Sequence, residues 1–293
     1  MKLYNDDCLK ILKNIPDESI DLVATDCPYH IVSGGCSTGT YGNGNGIFTK
    51  ETGGVLAKKT KSGVMYSNSK HVSLYGVLND QIEYTKQGKL FKYNDIKFEE
   101  WLPEVYRVLK QDTHCYIMVN ARNLAELQTK AEKVGFKFQN IIIWFKNNAT
   151  PNKYYLNAYE MILMLRKGKA KNINNMGTKN VLQINNIIGN KRHPTEKPVE
   201  LMKILVENST SGGDTVLDPF MGSGSTGVAC KQTNRDFIGI EIDEKYFNIA
   251  KDRIEERIKE KDTQLNIFDM LGDDINEWYA RRNKRKNKSI LCC

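Results

Sequence analysis

Apolar side chains recur along this chain with two alternating periods, one of about two residues and one of about 3.6. Ser19-Ile20-Asp21-Leu22-Val23-Ala24-Thr25 reads as a strand that ends at the turn Asp26-Cys27-Pro28-Tyr29. Trp101, Leu102, Val105, Val108 and Leu109 share one helical face and predict a helix over 98–109. A strand follows at 114–119, a helix at 124–134, and strands at 138–145 and 160–165. Pro198 is placed to open a helix over 199–206, because proline is tolerated in a first helical turn. Thr215-Val216-Leu217 is a buried strand, followed by a glycine-rich loop and a helix to about 231. The next strand spans 237–241, and Phe247, Ala250, Ile254 and Ile258 stripe one face of a charged helix. Strand–helix alternation of this kind predicts an α/β fold, a mostly parallel sheet with helices on both faces.

The segment from His30 to Lys97 breaks this rhythm. It holds eleven of the 22 glycines, among them Gly34-Gly35, Gly42, Gly44, Gly46 and Gly53-Gly54. Glycine at this density is costly to order, and a long loop in a compact domain is functional or disordered. Because it hangs from the Asp26–Tyr29 turn, it is read as a loop that closes over substrate. Plain disorder is the alternative.

At 293 residues the chain can bury a substantial core. The division expected is one catalytic domain over 1–270 and a tail over 271–293. The apolar runs 141–145 and 161–165 are far too short to cross a bilayer. Met1-Lys2-Leu3-Tyr4-Asn5-Asp6-Asp7 lacks an apolar signal region, which points to the cytoplasm. Seven scattered cysteines without a Cys-x-x-Cys pair, and four dispersed histidines, argue against a disulfide scaffold and against a metal site. The net charge of +8 is concentrated. Arg281, Arg282, Lys284, Arg285, Lys286 and Lys288 crowd the tail, and Lys146 to Lys179 holds seven cations against one acid, Glu160. Both clusters suit phosphate contacts; solvated surface is the alternative.

Gly222-Ser223-Gly224-Ser225-Thr226-Gly227 is formally G-x-G-x-x-G between strand and helix, with Glu241 nineteen residues beyond its first glycine. The same pattern serves nucleotide-dependent oxidoreductases. In either case glycines admit an adenosine, and an acid at the next strand tip accepts hydrogen bonds from ribose hydroxyls. The strand end Asp218-Pro219-Phe220 separates the two readings. A dinucleotide site brings in its first glycine almost at once, to seat a pyrophosphate on the helix N-terminus. S-adenosylmethionine has no pyrophosphate, but carries an ammonium and a sulfonium that Asp218 can serve. Gly222, Gly224, Thr226, Phe220 and Glu241 complete this candidate donor site.

The early turn fits the other half of a methyl transfer. An exocyclic amine of adenine or cytosine is a poor nucleophile, because its lone pair is delocalised into the ring. Acceptors on its two N–H groups localise that pair. Asp26 and the carbonyl of Cys27 are placed to accept, and Tyr29 offers an extruded base a face to stack on. Pro28 restricts residue 27 to extended conformations, which keeps the carbonyl aimed. Cysteine-based attack on a cytosine ring uses a Pro-Cys pair; the order here is Cys-Pro, and Asp26 would raise a neighbouring thiol's pKa.

In this order and with these motifs, the chain resembles the beta class of DNA amino-methyltransferases. The resemblance covers about 1–30 and 95–260. It rests on Asp6-Asp7-Cys8-Leu9, Asp26-Cys27-Pro28-Tyr29, His193-Pro194-Thr195-Glu196-Lys197-Pro198, the Asp218–Gly227 loop and Gly239-Ile240-Glu241-Ile242-Asp243. The catalytic turn departs from the family's Asp-Pro-Pro-Tyr in having Cys27. The likeness implies a circularly permuted, Rossmann-like S-adenosylmethionine-dependent methyltransferase fold with a small target-recognition insertion, here about 147–191. It implies Asp7 beside the donor's adenine, and Thr195 and Lys197 at its methionine end. Double-stranded DNA is the implied substrate, and a cognate restriction endonuclease the candidate partner. Adenine N6 is the implied acceptor, since an acid at position 26 accompanies adenine more often than cytosine in that family; cytosine N4 is the alternative. An RNA or protein methyltransferase, an oxidoreductase, and a non-catalytic DNA-binding protein each explain fewer of these motifs.

Overall fold

The computed structural model describes residues 1–28, 59–60, 63–64, 96–150, 155–187, 192–193 and 195–255. Tyr29, most of the 30–97 loop and the tail 271–293 lie outside them. In chain order the elements are β1 (Lys2–Tyr4), α1 (Cys8–Leu12), β2 (Ile20–Asp26), a two-residue hairpin pair β3 (Lys59–Thr60) and β4 (Gly63–Val64), α2 (Phe98–Val108) and β5 (Leu109–Val119). Then come α3 (Leu124–Val134), β6 (Lys137–Thr150), β7 (Asn157–Lys167), β8 (Val181–Gln183), α4 (Val199–Ser209), β9 (Thr215–Asp218), α5 (Ser225–Gln232) and β10 (Asp236–Ile240). A final helix, α6, covers 244–255.

Eight strands form one sheet in the order β1-β10-β9-β2-β5-β7-β6-β8. All neighbours run parallel except where β7 lies antiparallel between β5 and β6. Period-two alternation sorts the strand side chains onto two faces. Val23, Cys115, Ile117, Val119, Leu163 and Leu165 pack in one layer with residues of α1, α2 and α3. Leu22, Ala24, Tyr116, Met118, Ile162 and Met164 pack in the other with residues of α4, α5 and α6. The expected three-layer α/β architecture is therefore present. Each core face takes every second strand residue, and the two faces are offset by one position.

Three short elements, β1, α1 and β8, carry no periodicity of their own in the sequence. β1 exists through its parallel register with β10, Leu3 opposite Gly239, and β8 through three residues paired with β6. Two-strand pairing also lengthens the predicted 138–145 and 160–165 strands into the β6–β7 hairpin. Much of the 147–191 segment thus belongs to the central sheet. Within that segment, residues 147–150, 157–167 and 181–183 are strand.

Burial revises the reading of the basic cluster as uniformly available to phosphates. Lys146 and Lys167 are buried, at 8% and 4% exposure. The Lys167 ammonium donates to the carbonyls of Tyr106 (2.9 Å) and Leu109 (2.7 Å), closing the C-terminal end of α2. It also pairs with Glu18 at 3.2 Å and lies over the Tyr106 ring. Helix carbonyls at this end lack intrahelical donors, so the lysine replaces water there. Lys167→Met should therefore lower unfolding free energy by about 2–3 kcal/mol, the cost of stranding buried acceptors of a charged donor. Urea unfolding measures this. The slope of DNA affinity against salt should stay unchanged, because this cation meets no phosphate.

Candidate active site

The strand order creates the site. From β9 the chain passes through α5 to β10 on one side, whereas β2 leads to β5 on the other. Connections diverge at the β9–β2 junction, and crevices open beyond the carboxyl ends of strands at such switch points. Asp26 ends β2, Asp218 ends β9 and Glu241 follows β10. The turn after β1 joins them: the Glu241 N–H donates to the Tyr4 carbonyl at 3.0 Å, and the Asn5 amide donates to the Glu241 carbonyl at 2.8 Å. Asp7 then caps α1, accepting the Leu9 N–H at 2.9 Å.

Asp218 is 3% exposed, and its carboxylate accepts three hydrogen bonds. Thr25 Oγ1 donates to Oδ1 at 2.6 Å, the Phe220 N–H to Oδ1 at 3.1 Å, and Thr226 Oγ1 to Oδ2 at 2.7 Å. One side chain thus ties β2, the loop and α5 together. Burial raises its pKa to about 6 and the nearby Asp26 charge adds to this, against the three donors. Phe220 packs edge-on against Trp101 at 5.2 Å between ring centroids.

The loop turns through two left-handed residues, Gly222 (φ 50°) and Gly224 (φ 79°). The Gly222 N–H donates to Glu241 Oε2 at 3.0 Å, and the Asp243 N–H to Oε1 at 2.9 Å. At Gly224 a Cβ would lie 2.9 Å from the Ala250 Cβ. This glycine therefore answers to the packing of α6 on α5, a constraint that exists without any ligand. Burial pushes the Glu241 carboxyl up to about 7, with Asp243 and Asp218 adding to the rise, and the two N–H donors only partly offset it.

Residues outside the expected set complete the walls. Arg253 of α6 is 7% exposed; its guanidinium donates to the Ser223 carbonyl and hydroxyl and pairs with Glu196 at 3.0 Å. Glu196 also accepts the Arg192 N–H at 2.7 Å. His193 lies edge-on to Tyr246, 4.1 Å between centroids, and its Nδ1 accepts the Thr195 N–H at 3.2 Å. The Lys197 ammonium reaches Asp26 Oδ2 at 2.6 Å and Glu160 Oε2 at 3.3 Å. Lys146 holds the other Glu160 oxygen at 3.0 Å. Burial pushes Glu160 up, but the two ammoniums reverse this and hold it at about 2. Asp26 shows the opposite balance: burial and Glu160 raise it, although Lys197 pulls it down. Cys27 is 2% exposed, its thiol pushed up by burial and by Asp26.

Glu241 is half-buried at this end of the sheet and has no ion-pair partner among the described residues, whereas Asp218 is buried and occupied by its three hydrogen bonds. A carboxylate there repels a pyrophosphate and suits a ligand carrying ribose hydroxyls with positive charge. S-adenosylmethionine fits that chemistry. No group of His, Cys, Asp and Glu residues among those described is arranged to hold a metal ion, and no described helix is long and apolar enough to cross a membrane.

Residues 20–252 match the N6/N4 methyltransferase family, described as DNA methylase. The chain belongs to this family of DNA amino-methyltransferases, whose methyl donor is S-adenosylmethionine. It is 29% identical to the type II methyltransferase M.HinfI of Haemophilus influenzae, over 92% of this chain and 71% of that protein. It is also 29% identical to the type II methyltransferase M2.DpnII of Streptococcus pneumoniae, over 87% and 90% of the two chains. Among solved structures, the M1.HpyAVI–SAM complex aligns with TM-score 0.57 and 25% identity, covering 86% of this chain and 98% of that one. The cytosine-N4-specific PvuII DNA methyltransferase shares the fold at TM-score 0.58 and 19% identity, over 86% and 85%.

The electrostatics of Glu241 give a signed expectation. Its native pKa of about 7 stands above the ordinary 4.5, so between these values the native state binds more protons than the unfolded chain. Stability from this group therefore falls as pH rises through that window. Without donor, the wild type should lose roughly 1–3 kcal/mol relative to Glu241→Gln between about pH 5 and about pH 7.5. Urea unfolding of both proteins at the two pH values reads the difference.

Proposed function

We propose that this DNA amino-methyltransferase modifies the N6 amine of adenine at a specific site in double-stranded DNA. The observation that carries the reading is the Asp26 carboxylate at the end of β2, one strand from the Asp218 loop, with Oδ2 on Lys197 and Oδ1 without a partner among the described residues. The fold also serves cytosine-N4 chemistry; the acid at position 26, where serine accompanies cytosine, favours adenine.

In this reading Asp26 accepts one N–H of the extruded amine and the Cys27 carbonyl accepts the other. Pro28 keeps residue 27 extended, and Tyr29, outside the described residues, stacks on the base. The two acceptors turn the lone pair out of conjugation and aim it, so catalysis is alignment plus electrostatics. When bound, the donor supplies an electrophilic methyl group on a sulfonium. Glu241 accepts its ribose hydroxyls, the Asp7 turn borders the adenine, and Thr195, Lys197 and Phe220 border the methionine end. Asp218 sets the loop that carries Gly222 and Gly224, through its bonds to Thr25 and Thr226. Cys27 has no nucleophilic task, since a buried thiol with a raised pKa stays protonated.

The segment 147–191 and the tail 271–293 are assigned to DNA, the exposed hairpin residues Tyr155 and Tyr159 among them. We also propose a cognate restriction endonuclease as partner and the cytoplasm as setting, a reading supported by the likeness to type II methyltransferases.

Mass spectrometry of nucleosides from DNA treated with protein and donor should show N6-methyladenine; N4-methylcytosine alone overturns the base assignment. Asp26→Ala should abolish transfer and leave S-adenosylhomocysteine binding within about twofold, whereas Glu241→Ala should weaken that binding roughly 10- to 100-fold through lost charged hydrogen bonds. Calorimetry on both variants tests the split; equal loss of donor binding in both rejects it.

A further inference from the structure

Asp26 begins a chain of four alternating charges, Asp26–Lys197–Glu160–Lys146, and only its first two members belong to recognisable motifs. Among the described residues the Lys197 ammonium, with its three N–H donors, meets Asp26 Oδ2 at 2.6 Å, Glu160 Oε2 at 3.3 Å and the Thr195 carbonyl at 3.2 Å. Glu160 spends its second oxygen on Lys146 at 3.0 Å. Lys146 is 8% exposed and lies over the Trp144 ring, 5.5 Å from its centroid. The four groups come from β2, the segment before α4, β7 and β6. Their charges cancel, so the chain holds together without net charge in a half-buried place.

The arrangement poses a question about Asp26. A carboxylate given wholly to one ammonium at this distance accepts a further hydrogen bond poorly, because the cation has already taken up its charge. A second anion on the same ammonium relieves this. Resting on the reading that Asp26 orients the target amine, we propose that Glu160 is a positioning residue of the methyl transfer. Pinned by Lys146, it shares the Lys197 ammonium with Asp26 and so leaves Asp26 able to accept the amine. Glu160 touches neither substrate nor donor in this role; it acts through Lys197.

The groups facing Asp26 electrostatically are Lys197, Glu160 and Asp218, with the Cys27 thiol protonated beside it. Changing Glu160 or Lys146 leaves Asp218 and Cys27 as they are. Two substitutions therefore move Asp26 in opposite directions. Glu160→Gln removes the competing anion, so Lys197 binds Asp26 alone and the Asp26 pKa falls. Lys146→Met leaves Glu160 dependent on Lys197, draws the ammonium away from Asp26, and the Asp26 pKa rises. Loss of packing alone cannot produce opposite shifts.

The test is the single-turnover methylation rate against pH, using the full-length protein, saturating S-adenosylmethionine and unmethylated plasmid DNA that accepts label from the wild type. Its acid limb reports the essential base of the ternary complex. Glu160→Gln should lower the plateau rate roughly 10- to 100-fold, the factor of one charged hydrogen bond, and move the limb to lower pH. Lys146→Met should move the limb to higher pH, and Glu160→Asp should recover part of the plateau. S-adenosylhomocysteine affinity within about twofold of wild type shows that each variant is folded. Limbs that stay put, or move the same way, overturn the proposal. Asp26→Asn run in parallel separates the two levels: if it retains full rate, the reading of Asp26 itself fails, whatever Glu160 does.

Discussion

The buried carboxylate of Asp218 is the interaction on which the site's geometry depends. Strand β9 contributes four residues to the sheet, and its last one reaches sideways to Thr25 on β2 and forward to Thr226 on α5. Thr25 immediately precedes Asp26. The bond that fixes the loop therefore also fixes the strand end that presents Asp26. A carboxylate with three donors and almost no solvent contact is a rigid joint, since losing any donor strands a buried charge. The glycine loop and the Asp26 turn are in this sense one unit, although 193 residues separate Thr25 from Asp218.

A second tie runs through the segment before α4. Glu196 faces Arg253 and, through it, the Ser223 carbonyl of the glycine loop, while Lys197 faces Asp26 and Glu160. Two consecutive residues thus address the two halves of the site in opposite directions. The Lys197 carbonyl adds a third bond, accepting from Ser225 Oγ at 2.8 Å. Buried ion pairs of this kind add little net stability. Their value lies in orientation, because each partner has only one geometry in which all its donors are met.

Much of this was legible in the chain before any coordinates. Period-two and helical patterns located β2, α2, α3, α4, β9, α5 and β10, because each buries a face long enough to leave a pattern. The motifs around Asp26, Thr195–Lys197, Asp218–Thr226 and Glu241 were visible for the same reason that they converge: all end or begin elements at one edge of the sheet. Three-residue strands such as β1 and β8 left no trace, since pairing partners distant in sequence create them. Arg253 was hidden in a charged helix whose apolar stripe suggested only packing. Glu160 did leave a signal, as the lone acid among seven cations and the first residue of an apolar strand. Sequence spacing cannot say which cation it meets. The basic cluster misled in part, because Lys146 and Lys167 belong to the interior, a distinction that charge counting does not make.

The sheet's two ends are short border strands, which limits strand addition. An open sheet of eight strands exposes a row of N–H and C=O groups at each border, a template on which a second molecule can add. Here each border strand, β1 and β8, is three residues long. So short a border offers too few bonds to repay the ordering of an incoming chain. The part of β6 that runs past β8 carries Lys137, Gln139 and Asn140, all exposed, around a single exposed aromatic, Phe138. Charge and amide groups there favour water over a neighbouring strand. A wide, strongly apolar core can consequently be built without making its rim adhesive, a form of protection against fibre growth during folding at high concentration.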